Sequence, residues 1–345
     1  MTTMPQPVPT LVTVGVDTHA DSHVAVAKDS FGRYLDATSV ATTPVGYAEL
    51  LGWAQRLGQI TAWGIEGTGS FGAGLTRFLR GHGQVVVEVN RPDRQARRRR
   101  GKSDPLDAEA AARAVQAQQG SVPKAGDGQV EMIRSLRVAR STAMKARTQA
   151  INALKGLLVT APDELREQPR DLSTVRLVQT AAALELGPVT TPVAAATLGL
   201  RTLACRYQAL SAELTVLDAE LDRLTAAAAP KLLALFGVGP DWAGALLVAA
   251  GDNPDRLRSN AAFSMLCGAS PIEASSGKTR RHRLNRGGDR QANAALHRIV
   301  VARLRHDART QDYLVRRIRE GKSKKEAIRC LKRYVAREVF AALPR

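Results

Sequence analysis

The chain has 345 residues, 44% of them hydrophobic, which suffices for more than one domain with an apolar core and is too apolar for disorder throughout. Its 50 Lys and Arg against 32 Asp and Glu give a net charge of +18, and so large an imbalance points to a polyanionic partner, nucleic acid above all. No run approaches the roughly eighteen apolar residues of a membrane span, and the opening MTTMPQPVPT lacks the basic and apolar stretches of a secretion signal. A cytosolic protein acting near the nucleoid, without a membrane partner, is expected. The basic residues do not gather beside an apolar helix face, which argues against an anionic membrane surface. Cys205, Cys267 and Cys330 show neither disulfide nor zinc spacing and are expected to be small buried hydrophobes.

In chain order, LVTVGVD ends an apolar strand at Asp17, HVAVAKD alternates, and FGRYLDATSV follows a turn at Ser30 to Gly32. Together they read as a three-strand meander. Pro44 opens a helical pattern to about Arg56, ITAWGIEG is a buried strand ending at Glu66, a glycine-rich turn feeds a further helix, and QVVVEVN is another short strand. This order is that of an α/β domain. After the basic run Arg97 to Arg100, KSDPLDAEAAARAVQAQ reads as a loop entering a helix.

From about Val130 to Thr225 strand signals vanish. Leu203, Tyr207, Leu210, Leu214, Leu217, Leu221 and Leu224 alternate spacings of four and three, a heptad seam. Such a seam serves equally an intramolecular helical hairpin or a coiled coil between chains; Pro188 and Pro192 mark the break before it. LLALFGVGPDWAGALLVAAGD reads as helix, Gly-Val-Gly turn and helix. It is either a DNA-phosphate hairpin or a plain helical turn. Residues 268 to 290 read as a Gly, Ser and Arg-rich loop, and the remainder as basic helix. The domains expected are 10–125 (α/β), 126–228 (helical, with the coiled-coil pattern) and 229–345 (mainly helical).

Asp17 and Glu66 both end apolar strands, so adjacent parallel strands would bring them to one sheet edge. Asp104 and Asp107, three apart at a helix start, share one face. Singly, each acid has a structural explanation as a strand end or cap. Four converging carboxylates, however, repel one another unless a hard cation such as Mg²⁺ or Mn²⁺ holds them. The combination is the layout of ribonuclease-H-like nucleases. His19 and His23 flank Asp17 and are expected to be surface or structural residues.

GVDTHADSHVAVA, GIEGTGSFG and GKSDPLDAEAAARAV resemble the three acidic motifs of transposases of the insertion sequence 110 family, and LFGVGPDWAGALLVAAGD with GASPIEASSGKTRRHRLNRGGDRQANAALHRIV resembles that family's C-terminal transposase domain. The resemblance implies a RuvC-like domain whose metal-binding tetrad is Asp17, Glu66, Asp104 and Asp107, a coiled-coil insertion, and a C-terminal domain carrying a nucleophilic serine. The serine before glycine, five residues after the motif's proline, is Ser276, with Ser275 as the alternate. The resemblance also implies a noncoding bridge RNA that pairs with donor and target DNA, a phosphoserine intermediate and strand exchange. Two DNA partners suggest a dimer or tetramer.

Arg94, Arg97, Arg98, Arg99, Arg100 and Lys102 form one basic cluster, and Lys278, Arg280, Arg281, Arg283, Arg286 and Arg290 a second, both suited to phosphate contacts. With only 4% aromatics, extensive base stacking is not expected. Two alternatives stand beside the recombinase: a metal-dependent junction endonuclease that cuts hydrolytically, and a non-enzymatic basic nucleic-acid binder.

Overall fold

A computed structural model describes residues 10–89, 103–166, 172–253, 256–279 and 282–344. The chain divides into two compact units, one made of 1–128 with 250–263 and the other of 129–249 with 264–344, Arg345 aside.

The first unit is built on a mixed five-stranded sheet of order β3-β2-β1-β4-β5. Its strands are β1 (Leu11–Thr18), β2 (Ser22–Asp29), β3 (Tyr34–Ala41), β4 (Gln59–Glu66) and β5 (Val86–Val89). The first three form the expected antiparallel meander, and β4 and β5 add in parallel beside β1. Side chains alternate between the faces of a strand, and the β1 sequence uses both. Val12, Val14 and Val16 join Trp63, Ile65, Leu50 and Leu75 in an apolar core beneath α1 (Pro44–Leu57) and α2 (Ala73–Gly81). Helix α1 starts where Thr43 caps it by accepting from the Gly46 N–H, with Pro44 in the first turn.

The opposite face takes α3 (Asp104–Gln116), which packs on β1, β2 and β4. Glycine makes that approach close. A Cβ on Gly15 would overlap the Ala108 carbonyl oxygen and the Ala112 nitrogen, and one on Gly64 would stand 2.6 Å from the Ala111 carbonyl oxygen. Lys28 reaches from β2 across this face to Glu109 of α3, Nζ to Oε1 2.7 Å, while only 2% exposed. Residues 250–263 join this unit through Asn253, whose amide donates to the Pro123 carbonyl and accepts from the Ala125 N–H, both at 3.1 Å.

The second unit is helical. Helix α4 (Gln129–Thr160), one turn of α5 (Asp163–Arg166), α6 (Thr174–Ala182) and α7 (Pro192–Ala228) come first. Helices α4 and α7 pack along each other within the chain, and Leu214, Leu221 and Leu224 of the heptad seam are buried. The intramolecular hairpin thus accounts for that seam. The break falls at the prolines, between Ala182 and Pro192, where Thr191 caps α7. Across the hairpin and its continuation, Arg140 pairs with Asp218 and Arg137 with Asp241.

There follow α8 (Pro230–Leu233), a turn in which Gly237 adopts φ +79°, and α9 (Pro240–Ala250); α10 (Asn260–Leu266) begins in the 250–263 stretch of the first unit and ends in the second. The segment 268–290, expected to be loop, contains a small hairpin of β6 (Ile272–Glu273) and β7 (His282–Arg283). Helices α11 (Arg290–His306), α12 (Ala308–Arg319) and α13 (Lys324–Ala342) complete the unit. The Lys332 ammonium, buried on α13, donates to Asn293 Oδ1 at 2.8 Å, and the Asn293 amide in turn donates to the Cys267 and Gly268 carbonyls. Burial pushes the Cys267 thiol up to about 12. Cys267 is a buried hydrophobe as expected; Cys205 corrects that expectation, standing exposed on α7, and Cys330 is half-buried.

Among the described residues, no helix is long and apolar enough to cross a membrane.

Candidate metal and strand-transfer sites

The face of the sheet covered by α3 is also the face on which the acids lie. Asp17 follows Gly15 by one alternation on β1, Glu66 follows Gly64 by one on β4, and the parallel register pairing Val16 with Ile65 sets the two strand ends side by side. Because the two glycines let α3 lie close to the sheet, the first turn of that helix, with Asp104 and Asp107, comes down over those strand ends. Asp17 and Asp107 are buried, at 7% and 8% exposure, and Glu66 and Asp104 are half-buried.

Three causes act on the Asp17 carboxyl. Burial raises its pKa most, the neighbouring His19 lowers it, and the like charges of Glu66 and Asp107 raise it again, with a net upward shift. The charge of Asp17 is therefore felt by, and feels, two others of the sequence-expected four. His19 Nε2 lies 3.1 Å from Asp17 Oδ2 and 3.5 Å from Asp104 Oδ1, and ligand atoms of Asp17, His19 and Asp104 all fall within 4.8 Å of one another. A set of carboxylate oxygens with one imidazole, where burial and mutual repulsion raise the cost of negative charge, fits a divalent cation.

His19 is the residue that sequence reasoning set aside. It lies one residue past the end of β1, where strand alternation no longer dictates side-chain direction, and its side chain is 42% exposed. His23 is structural as expected. It is fully buried, its ring stacked on Tyr47 with centroids 5.7 Å apart, and burial lowers its pKa.

Ser276 belongs to the second unit, in the turn that closes the β6–β7 hairpin. The Ser276 N–H donates to the Thr279 carbonyl and the Ser276 carbonyl accepts from the Thr279 N–H, both at 3.1 Å, around Gly277 at φ +56°. Ser275 and Ser276 are both exposed, as are Lys278, Arg283, Arg286 and Arg290. Either hydroxyl thus stands on the surface of a basic hairpin. Arg280 and Arg281 lie outside the described residues, as does the whole first basic cluster of Arg94, Arg97, Arg98, Arg99, Arg100 and Lys102.

Comparison with known proteins agrees with this layout. Residues 14–161 match the family model of the DEDD transposase domain of the IS110 family, described as Transposase, and residues 229–315 match the model described as Transposase IS116/IS110/IS902 family. The first match runs from within β1 through α4; the second runs through the hairpin with Ser276 and α11 into α12. No curated protein matches the chain. With two models of one family covering well over half of it, the chain belongs to the insertion sequence 110 family of transposases, enzymes that act on DNA.

Proposed function

We propose that this transposase joins donor and target DNA, guided by a noncoding bridge RNA from its own element, through a phosphoserine link and strand exchange. The observation that carries the reading is the gathering of Asp17, His19 and Asp104 donor atoms within 4.8 Å of one another at the strand ends, in a carboxylate field that also includes Glu66 and Asp107. In this reading residues 10–125 are the RuvC-like domain, 126–228 the helical and coiled-coil region, and 229–345 the domain that brings the nucleophile.

Asp17, Glu66, Asp104 and Asp107 would hold Mg²⁺ or Mn²⁺, which would supply charge neutralisation for phosphoryl transfer. The chain's own groups do the rest. The Ser276 Oγ, or Oγ of the alternate Ser275, attacks a DNA phosphorus, its proton passing to a carboxylate. A serine–phosphate bond forms as the bond to the 3′ oxygen breaks, and that oxygen takes up the proton held by the carboxylate and leaves as a hydroxyl. The phosphodiester energy is conserved in the new ester, so a hydroxyl of the other DNA can attack it and rejoin the strand without ATP.

In this reading Ser276 and the carboxylates serve one reaction. Lys278, Arg283, Arg286 and Arg290, with Arg280, Arg281 and the Arg94 to Lys102 cluster, contact backbone phosphates. Two DNA partners require a dimer or tetramer.

The test is recombination between donor and target plasmids, with RNA from the element's flanks, for the wild type, Asp104→Asn and Ser276→Ala. Both variants are expected to lose joining, and chelation of divalent cations to abolish it in the wild type. If Ser276→Ala still cuts but cannot join, the enzyme is a hydrolytic nuclease. If Asp104→Asn retains full activity, the acids are structural.

A further inference from the structure

The C-terminal helices hold an aromatic cleft for which the strand-transfer chemistry has no use. Residues 290–342 carry fifteen Lys and Arg against five Asp and Glu, so this short stretch supplies much of the chain's positive charge. A cavity of about 780 Å³ opens there between α11, α12, α13 and the turn after α8. A volume of that order takes a ligand the size of a nucleotide or larger.

The walls of the cleft are unusual for a chain with few aromatics. Tyr313 and Tyr334 meet edge to face with centroids 5.6 Å apart, and both line it together with Phe236. Tyr334 is 48% exposed and Phe236 56%. Around the tyrosines stand guanidinium groups: Arg316 is 5.4 Å from the Tyr313 centroid, Arg317 5.8 Å from the same ring, and Arg337 6.0 Å from that of Tyr334. The wall contains three acids, but Asp307 is engaged in capping α12 at Thr310 and Glu338 accepts from Arg303 at 2.7 Å. That leaves Asp312 against Arg309 and Arg316 on the same wall.

Exposed rings beside arginines, on a surface of net positive charge, match one chemistry closely. A nucleobase with a free face stacks on an aromatic ring and on a guanidinium plane, while its neighbouring phosphates satisfy the cations. A paired base inside a duplex cannot enter, because its faces are already stacked. Burial and the nearby Cys330 push the Tyr313 hydroxyl up to about 12.

We infer that this cleft binds an unpaired nucleobase of a nucleic-acid strand, stacked on Tyr334, with the flanking phosphates held by Arg309, Arg316 and Arg337. The inference goes beyond the proposed strand transfer and stands without it. It involves a single base and so stands beside the expectation that extensive base stacking is absent; two of the chain's five tyrosines meet at this place.

The experiment is fluorescence anisotropy with the full chain and labelled twelve-nucleotide probes: single-stranded DNA, single-stranded RNA and the matching DNA duplex, at fixed salt. Tyr334→Ala is expected to weaken binding of at least one single strand about tenfold or more, to leave duplex affinity within about twofold, and to be rescued by Tyr334→Trp. The strand that suffers the loss identifies the source of the base. Phe236→Ala, on a separate segment and exposed, is expected to cause a smaller loss of the same selectivity, with melting curves of both variants confirming the fold. Unchanged affinity for both single strands, or an equal loss on duplex and single strand, would overturn the inference.

Discussion

The strand ends of the sheet and the hairpin of Ser276 carry the two halves of the proposed chemistry, yet they are built in opposite ways. At the sheet, β1, β4 and α3 are locked by a backbone approach that leaves no room for a Cβ at Gly15, and Asp17 and Asp107 are buried. At the hairpin, two strands of two residues each, a turn at Ser276 to Thr279 and exposed side chains provide only local restraint. The difference teaches where each half gets its precision. Carboxylates that share a cation must be fixed in advance, since every misplaced charge costs energy. A serine that must reach a phosphate in bound DNA needs access first, and the nucleic acid can order it on arrival.

The same type of substitution on the two sides sharpens the contrast. Gly15→Ala forces a methyl group into the α3 backbone and is expected to cost about 3 kcal/mol, at the upper end of overpacking effects. Chemical denaturation should show the loss, and cleavage should fall with it because α3 carries Asp104 and Asp107. A cost below about 0.5 kcal/mol would mean that α3 is not held as described.

Lys28→Met probes the same face from β2. It removes a buried ion pair but leaves Glu109 with Arg113, 2.6 Å away, so a loss of about 2 kcal/mol is expected at neutral pH. This pair has a pH signature. The hydrogen bond from Lys28 holds the Glu109 carboxyl below its ordinary value, with smaller help from Arg113. A lowered carboxyl value stabilises the fold above the unfolded-state value and is lost as the pH falls through the folded one. The wild type should therefore lose stability on acidification below about pH 4.5 more steeply than Lys28→Met, and parallel profiles would remove the pair from the account.

Gly277→Ala is the smallest of the three. Open space surrounds that position, and only the positive φ of +56° opposes a side chain, at a cost of about 1 kcal/mol. Its effect should be confined to the hairpin, with the global melting temperature almost unchanged while joining slows.

Much of the first unit was legible because its physics is local. Alternation in LVTVGVD and HVAVAKD sets the faces, and the strand-end position of Asp17 and Glu66 follows from where the apolar runs stop. The heptad of α7 marked a packing seam but could not say with which helix, since the pattern does not count chains. Lys28 was invisible: a lysine on a strand reads as a solvent-facing residue until α3 is seen to cover it with Glu109. The Tyr313–Tyr334 pair is equally a tertiary fact, joining two helices that sequence spacing treats as separate. His19 was expected as a surface or structural residue; its place beside Asp17 and Asp104 arises just past the end of β1, where strand alternation gives no guide.

The most direct measurement is to trap the reaction with labelled DNA, digest the denatured protein and locate the adduct by mass spectrometry, in the wild type and in Asp104→Asn. The account predicts a phosphodiester adduct on Ser276 in the wild type and none in Asp104→Asn. Cut DNA with no adduct, an adduct on another residue, or a Ser276 adduct undiminished in Asp104→Asn would contradict the claim that the serine and the carboxylates serve one reaction.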